Sequence, residues 1–134
     1  MKKPIDERFV ANGAKRVNDD DVKKVVANAE VIGKKLASES AFGRLLEDAK
    51  LLLSLVRDYW NKEYRAVPFW VIGAAVFALL YVLTPIDLIP DAIPVIGYLD
   101  DAAVVSACLA MVRQELARYA EWKRAQLAEP PEKP

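Results

Sequence analysis

Apolar residues recur at helical spacing in two stretches of the N-terminal half of the chain. The first stripe runs from Val22 to Leu36, with apolar positions three or four residues apart, and predicts an amphipathic helix of about four turns. The second stripe runs from Phe42 to Trp60 and is wide enough to contact neighbours on two sides. Because only the short Ser-Glu-Ser segment at residues 38–40 separates them, we expect the two helices to pack as an antiparallel pair.

The following stretch shows no stripe because it is apolar on every side. Residues 66–86 comprise 21 positions without a charge, close to the roughly 20 residues that cross the hydrocarbon core of a bilayer. Phe69 and Trp70 near one end, and Tyr81 near the other, resemble the aromatic residues of membrane interfaces. The pattern predicts a membrane helix; the alternative is a core helix that the other helices surround.

A segment rich in proline and aspartate joins this run to a final long helix. Prolines restrict the backbone and disfavour helix, so we expect the stretch from Leu83 to Ala103, up to the start of the final helix, to form a rigid, extended connector. The final helix begins at Asp100 or Asp101. The predicted fold class is therefore all-α with about four helices: two amphipathic N-terminal helices plus an apolar helical hairpin around the Pro/Asp-rich connector.

The same patterns divide the chain into four segments. We expect a flexible N-terminus at residues 1–20, an amphipathic helical pair at 21–64, a helical hairpin at 65–128 and a disordered tail at 129–134. The tail sequence Glu-Pro-Pro-Glu-Lys-Pro ends the final helix, because proline cannot continue a helix.

The composition excludes several classes of function. Lysine plus arginine and aspartate plus glutamate number 19 each, and this balance argues against a nucleic-acid partner. The chain has no histidine and a single cysteine, Cys108, so histidine-dependent catalysis and an intramolecular disulfide are excluded. No cofactor motif, phosphate loop or small-molecule site is recognisable, and we expect a protein that is not an enzyme and has no cofactor.

The distribution of basic residues favours a hairpin with both ends on one side of a membrane. Lys62 and Arg65 precede the uncharged run, Arg113 and Arg118 follow the connector, and no lysine or arginine lies between Arg65 and Arg113. Basic residues concentrate on the cytoplasmic side of membrane proteins. The expected location is therefore the cytoplasmic membrane, with both termini in the cytoplasm; the alternative is a cytoplasmic protein.

The connector's aspartates, Asp87, Asp91, Asp100 and Asp101, have three possible roles. The preferred one is structural, because aspartate caps helices and stabilises turns through nearby backbone N–H groups. The second is a recognition surface. The third is a divalent-cation site, for which these four residues are weak candidate ligands, since carboxylate oxygens suit Ca²⁺ and Mg²⁺.

The segment from Tyr81 to Val105 closely resembles the signature of the YkvA-like family of small bacterial proteins, a domain of unknown function. The residues that match this Pro/Asp signature are Thr84, Pro85, Asp87, Pro90, Asp91, Ile93, Pro94, Gly97, Asp100 and Asp101. The resemblance covers about residues 65–113. It implies a helical hairpin around the connector, membrane association and no established enzymatic activity, and it assigns no catalytic residue.

These observations predict a non-enzymatic, membrane-associated helical protein that acts as an interaction partner or accessory subunit. Its expected partners are the membrane and either another protein or a second copy of the chain. The alternative is a soluble helical-bundle binding protein of the inhibitor or immunity type. The least favoured hypothesis is a divalent-metal-dependent enzyme that uses the aspartate cluster.

Overall fold

The computed structural model describes residues 6–83 and 101–128, which form helices joined by short turns. These residues contain no strand. The helices are α1 (Glu7–Ala14), α2 (Asp19–Ala27), α3 (Ala29–Ser38), the 3-10 helix η1 (Ser40–Leu45), α4 (Leu46–Trp60), α5 (Phe69–Leu83), α6 (Asp101–Met111) and α7 (Arg113–Ala128).

Helix α5 forms the core of the fold. Every residue from Val71 to Val82 except Phe77 is buried, and helices α1, α2, α3, α4 and α6 all contact α5. Burial of apolar surface contributes about 25 cal/mol per Å², so a helix that is apolar on all sides gains most when other helices enclose it. The apolar surface of α5 is therefore covered by the protein's own helices.

The predicted apolar membrane hairpin is wrong for the described residues. Within residues 6–83 and 101–128, no helix combines the length and the apolar character needed to cross a membrane. Helix α5 has 15 residues, fewer than the roughly 20 that span a bilayer. It begins only at Phe69, so the first three positions of the uncharged run lie outside the helix. The described part of the run forms the core helix of the alternative interpretation.

The predicted number of helices is also wrong, because two expected helices are each divided. Asn28 separates α2 from α3: its backbone leaves the helical region, and its side-chain amide donates a hydrogen bond to the Lys24 carbonyl at 2.8 Å. A turn at Val112 separates α6 from α7. An apolar stripe continues across a one-residue break between two helices, so the hydrophobic pattern of the sequence does not reveal where one helix ends and the next begins.

Helix α1 lies within the segment that was expected to be flexible. The Asp6 side chain caps it, accepting hydrogen bonds from the backbone N–H groups of Arg8 and Phe9 at 3.1 and 3.2 Å. Val10 is fully buried, and the ring centroids of Phe9 and Phe77 are 5.6 Å apart. The first described helix is thus packed against α5. The expected disordered tail at 129–134 lies outside the described residues.

The bundle has two distinct ends. Trp70 at the start of α5 and Met111 at the end of α6 line the same surface depression, so α6 runs back along α5. We call this the Trp70 end. At the opposite end, which we call the connector end, α5 finishes at Leu83 and α6 begins at Asp101.

Candidate functional site

Most of the sequence-predicted motif lies outside the described residues. Asp101 is the first residue of α6. The motif residues whose placement is not described are Thr84, Pro85, Asp87, Pro90, Asp91, Pro94, Gly97 and Asp100. Among residues 6–83 and 101–128, no three His, Cys, Asp or Glu side chains are grouped so that they could hold a metal ion. The capping, recognition and cation hypotheses for the four aspartates stay predictions.

A lysine side chain from α3 forms a hydrogen bond at the connector end of α5. The Lys35 ammonium, from α3, donates a hydrogen bond to the Val82 carbonyl at 2.7 Å. The last carbonyls of a helix lack partners within the helix and carry the negative end of its dipole. The contact therefore satisfies the last turn of α5 and ties α3 to it, immediately before the proline- and aspartate-rich segment.

Two aromatic side chains are exposed at the opposite end of α5. Phe69 is 41% exposed and Trp70 is 48% exposed. They lie where the end of α1, the start of α5 and the end of α6 meet. We call this surface the Trp70 face; the residues that line it are Ala11, Ala14, Lys15, Val17, Phe69, Trp70 and Met111.

Basic side chains surround the Trp70 face. Lys15 lines it directly, and Arg113 lines an adjoining depression with Trp70. The Arg65 guanidinium lies 4.2 Å from the centre of the Tyr59 ring, and that ring is 6.3 Å from the Phe69 ring. The face therefore combines an apolar centre with a positively charged margin.

The acidic residues near the face are fewer and partly neutralised. Glu7 and Glu115 line the depression that adjoins Trp70. The Glu115 carboxylate is paired with the Arg118 guanidinium at 2.9 Å. With this pair set aside, two acidic residues remain, Glu7 and the exposed Glu63 of the loop after α4. The basic residues at this end of the bundle outnumber them; they are Lys15, Lys62, Arg65 and Arg113.

Helix α4 ends at the same end of the bundle in a turn with left-handed backbone. The Lys62 N–H donates to the Tyr59 carbonyl at 3.1 Å and the Glu63 N–H donates to the Asp58 carbonyl at 2.8 Å, the pair of bonds that defines a Schellman motif. Lys62 has φ of 66°. Glycine usually occupies this position because a side chain is unfavourable there.

A second group of polar residues, which is partly buried, joins α4 to α7. The Tyr119 hydroxyl donates to the Asp58 carboxylate at 2.5 Å and lies 2.6 Å from the Ser54 hydroxyl. Lys123 donates to the same Asp58 oxygen at 2.9 Å. We call Ser54, Asp58, Tyr119 and Lys123 the Tyr119 cluster. The rings of Tyr64 and Trp122 pack against Tyr119.

The titratable side chains Tyr119, Tyr64 and Cys108 are held in their protonated forms by their surroundings. Burial, together with the hydrogen bond to Asp58, raises the pKa of Tyr119 above its ordinary value. Burial likewise raises the pKa of Tyr64, and it raises the pKa of the Cys108 thiol to about 12. All three groups hold their protons near neutral pH, so none is poised as a nucleophile or a general base.

Sequence reasoning identified the aromatic pair but assigned it a different environment. Phe69 and Trp70 were predicted at the interface end of a membrane helix, and they lie on the exposed end of a core helix. The Tyr119 cluster was not predicted, because Tyr119 is 61 positions from Asp58 and 65 from Ser54. The sequence signal for this cluster is the pair of polar residues Ser54 and Asp58, four positions apart beside the apolar stripe of α4.

Comparisons with known proteins agree with the resemblance in the connector region. A family profile described as "Protein of unknown function (DUF1232)" matches residues 71–107. The chain is 27% identical over 101 residues to "Uncharacterized membrane protein YkvA" of Bacillus subtilis (strain 168), a match that covers 75% of this chain and 95% of the relative. No solved structure matches the chain. The chain is therefore similar to YkvA along most of its length, and residues 71–107 match the DUF1232 profile.

Proposed function

We propose that this protein is a non-enzymatic, membrane-associated helical protein that attaches to the bilayer surface through the Trp70 face and serves as an interaction partner or accessory subunit for another protein. The observation that carries the proposal is the exposure of Phe69 and Trp70 together, at the end of a helix that is mostly buried. A cluster of exposed large apolar side chains with a polar rim is typical of an interaction site.

Interfacial attachment fits this surface without a membrane-spanning helix. Tryptophan is enriched at the level of lipid headgroups, where its ring is partly apolar and its N–H can reach water. Binding at the interface gains strength from buried apolar area and from attraction between basic residues and anionic lipids. The Trp70 face supplies both components within one patch.

The sequence relative supports membrane association, since the B. subtilis protein is named a membrane protein. We propose the cytoplasmic face of the cytoplasmic membrane as the location. Attachment to one surface leaves the whole chain on one side, which keeps both termini in the cytoplasm. The connector end, where α5 finishes and α6 begins, then remains available for a protein partner.

Vesicle binding tests the membrane part of the proposal. Burying about half of a large aromatic side chain contributes roughly 1–1.4 kcal/mol, so Trp70→Ser and Phe69→Ser should each lower the vesicle partition coefficient about five- to tenfold. Val31→Ser is the matched control, because Val31 is 49% exposed on α3, outside the Trp70 face. Co-sedimentation with vesicles containing phosphatidylcholine and phosphatidylglycerol measures all three variants.

Two results would contradict the proposal. Equal binding of wild type and Trp70→Ser would show that another surface contacts the lipid. No vesicle binding by wild type, combined with a dimer that Trp70→Ser dissociates, would favour the alternative of a helical-bundle binding protein. The buried core helix α5 is compatible with that alternative, because a bundle with its own core does not depend on lipid for its fold.

A further inference from the structure

We infer that the Trp70 face is selective for anionic lipid headgroups and that the basic residues at its margin provide the cationic contacts. These residues are Lys15, Lys62, Arg65 and Arg113. This inference rests on the proposed membrane attachment and adds the chemical class of lipid. The apolar centre of the face explains binding to any bilayer, whereas its charged margin distinguishes one headgroup from another. Three features of the described residues support it.

The first feature is the sign of the charge around the aromatic pair. Lys15 and Arg113 adjoin Trp70, and Arg65 is linked to Phe69 through the ring of Tyr59. Glu115 is already paired with Arg118. The N-terminus of α5 lies at the same place, and the N-terminal end of a helix carries partial positive charge. A phosphate-bearing lipid with net negative charge complements this surface.

The second feature is the fixed position of Arg65. Its Nη1 donates to the Tyr59 carbonyl at 3.0 Å, and its guanidinium stacks over the same residue's ring. A guanidinium has five N–H donors in a rigid fork that suits phosphate oxygens. Since one contact already orients the group, its remaining donors can bind a headgroup with less loss of side-chain entropy.

The third feature is the choice of lysine at position 62. The left-handed backbone of Lys62 favours glycine, so lysine makes the end of α4 less stable than it could be. Locally unfavourable backbone is a reason to look for a functional role. Here the lysine adds an ammonium to the loop that leads into Phe69 and Trp70, at the end of the bundle where the other cations lie.

The decisive variant is Lys62→Gly, because the two roles of this residue predict opposite changes. It should raise the urea midpoint of unfolding, since glycine removes the backbone cost. It should also lower the partition coefficient on vesicles containing phosphatidylglycerol about fivefold, the loss expected for one basic residue near an anionic surface. Binding to vesicles of phosphatidylcholine alone should be weak and unchanged. A residue with only a structural role would change the midpoint and not the binding.

Two control variants separate local contact from total charge. Lys34→Gln removes one positive charge from the exposed side of α3 and should leave both vesicle affinities unchanged. Lys62→Arg keeps the charge on the same backbone and should bind anionic vesicles as wild type does.

The outcomes distinguish this inference from the proposed function. Equal wild-type affinity for phosphatidylcholine vesicles and for phosphatidylglycerol-containing vesicles overturns the selectivity and leaves the attachment intact. Absence of binding to both vesicle types overturns the attachment itself. A third result would overturn the assignment to this face. If Lys34→Gln lowers binding to anionic vesicles as much as Lys62→Gly does, binding depends on net charge alone.

Discussion

Tyr119 is the side chain that holds the last helix against the middle of the chain. It is fully buried, and its hydroxyl lies between Ser54 and Asp58 of α4, while Lys123 neutralises the same carboxylate one turn further along α7. A buried polar group costs free energy unless it has partners. The cluster meets that requirement with groups from two helices, and it therefore specifies how α4 and α7 are aligned.

Removing the Tyr119 hydroxyl should destabilise the fold. Hydrogen bonds to charged groups contribute about 1.5–3 kcal/mol, so Tyr119→Phe should lower the free energy of unfolding by that amount in urea titrations. Tyr59→Phe is the matched control, because it removes a hydroxyl outside the Tyr119 cluster and should change the value by less than about 0.5 kcal/mol. A change of less than about 0.5 kcal/mol for Tyr119→Phe would show that the hydroxyl contributes no net stability.

The same residue predicts a dependence on alkaline pH. The folded state raises the pKa of Tyr119, so the corresponding stability is complete below the ordinary tyrosine pKa of about 10 and is lost as pH rises above it. Cys108 adds to this loss between its ordinary value and about 12. Between pH 9 and pH 11, the free energy of unfolding measured in urea should therefore decrease less steeply with pH for Tyr119→Phe than for wild type.

At the scale of helices, the close approach of α1 to α5 depends on glycine. A Cβ atom on Gly73 would lie 2.9 Å from the backbone oxygen of Ala14, whereas a Cβ on Gly33 would meet only Leu53, at 3.9 Å. The first position has no room for a methyl group unless α1 moves. The second has ordinary van der Waals space, so it bears only the cost of glycine within a helix.

The two glycines should consequently respond to alanine with opposite signs. Gly33→Ala should stabilise the protein by about 0.5–1 kcal/mol through helix propensity. Gly73→Ala should destabilise it by about 1–3 kcal/mol through overpacking, with faster amide hydrogen exchange in residues 7–14. Stabilisation by both substitutions would mean that α1 does not pack against Gly73 as the structure has it.

The helices differ in how far the sequence predicts them, for identifiable reasons. The apolar stripes of α2, α3 and α4 match their buried positions, because a helix that is covered on one face has apolar residues at a helical period in its sequence. The sequence of helix α5 shows no such periodicity, since the helix is buried on all sides. An all-apolar run is compatible with either lipid or protein around it. Helix α1 has only Val10 and Gly13 buried, too few for a periodic signal, although Asp6 is a recognisable cap.

At the scale of the molecule, mutation should distinguish the buried core from the exposed surface. Val76 is fully buried in the middle of α5, so Val76→Asp places an uncompensated carboxylate in the core and should cost more than about 4 kcal/mol or abolish folding. Val31→Asp, at an exposed position, should change stability by less than about 0.5 kcal/mol. Circular dichroism during urea unfolding measures both.

A Val76→Asp variant as stable as wild type would contradict the assignment of α5 as the core.

The candidate site was only partly predictable at this scale. Phe69, Trp70 and Arg65 are neighbours in sequence, and their composition pointed to an interface. Lys15 and Arg113 join them only because α1 and α6 end at the same corner, which is a property of the tertiary arrangement.

The position of the two ends on α5 has a consequence for electrostatics. Fifteen helical residues extend about 22 Å, and the segment that carries the four aspartates begins and finishes at the end remote from Trp70. Attractions and repulsions in physiological salt decay over about 8 Å. If the Trp70 face rests on a bilayer with α5 upright, as proposed above, Leu83 and the start of α6 lie at a height where the negative surface is screened. In that orientation the length of α5 keeps the two points where the connector leaves and rejoins the bundle beyond the reach of the surface charge.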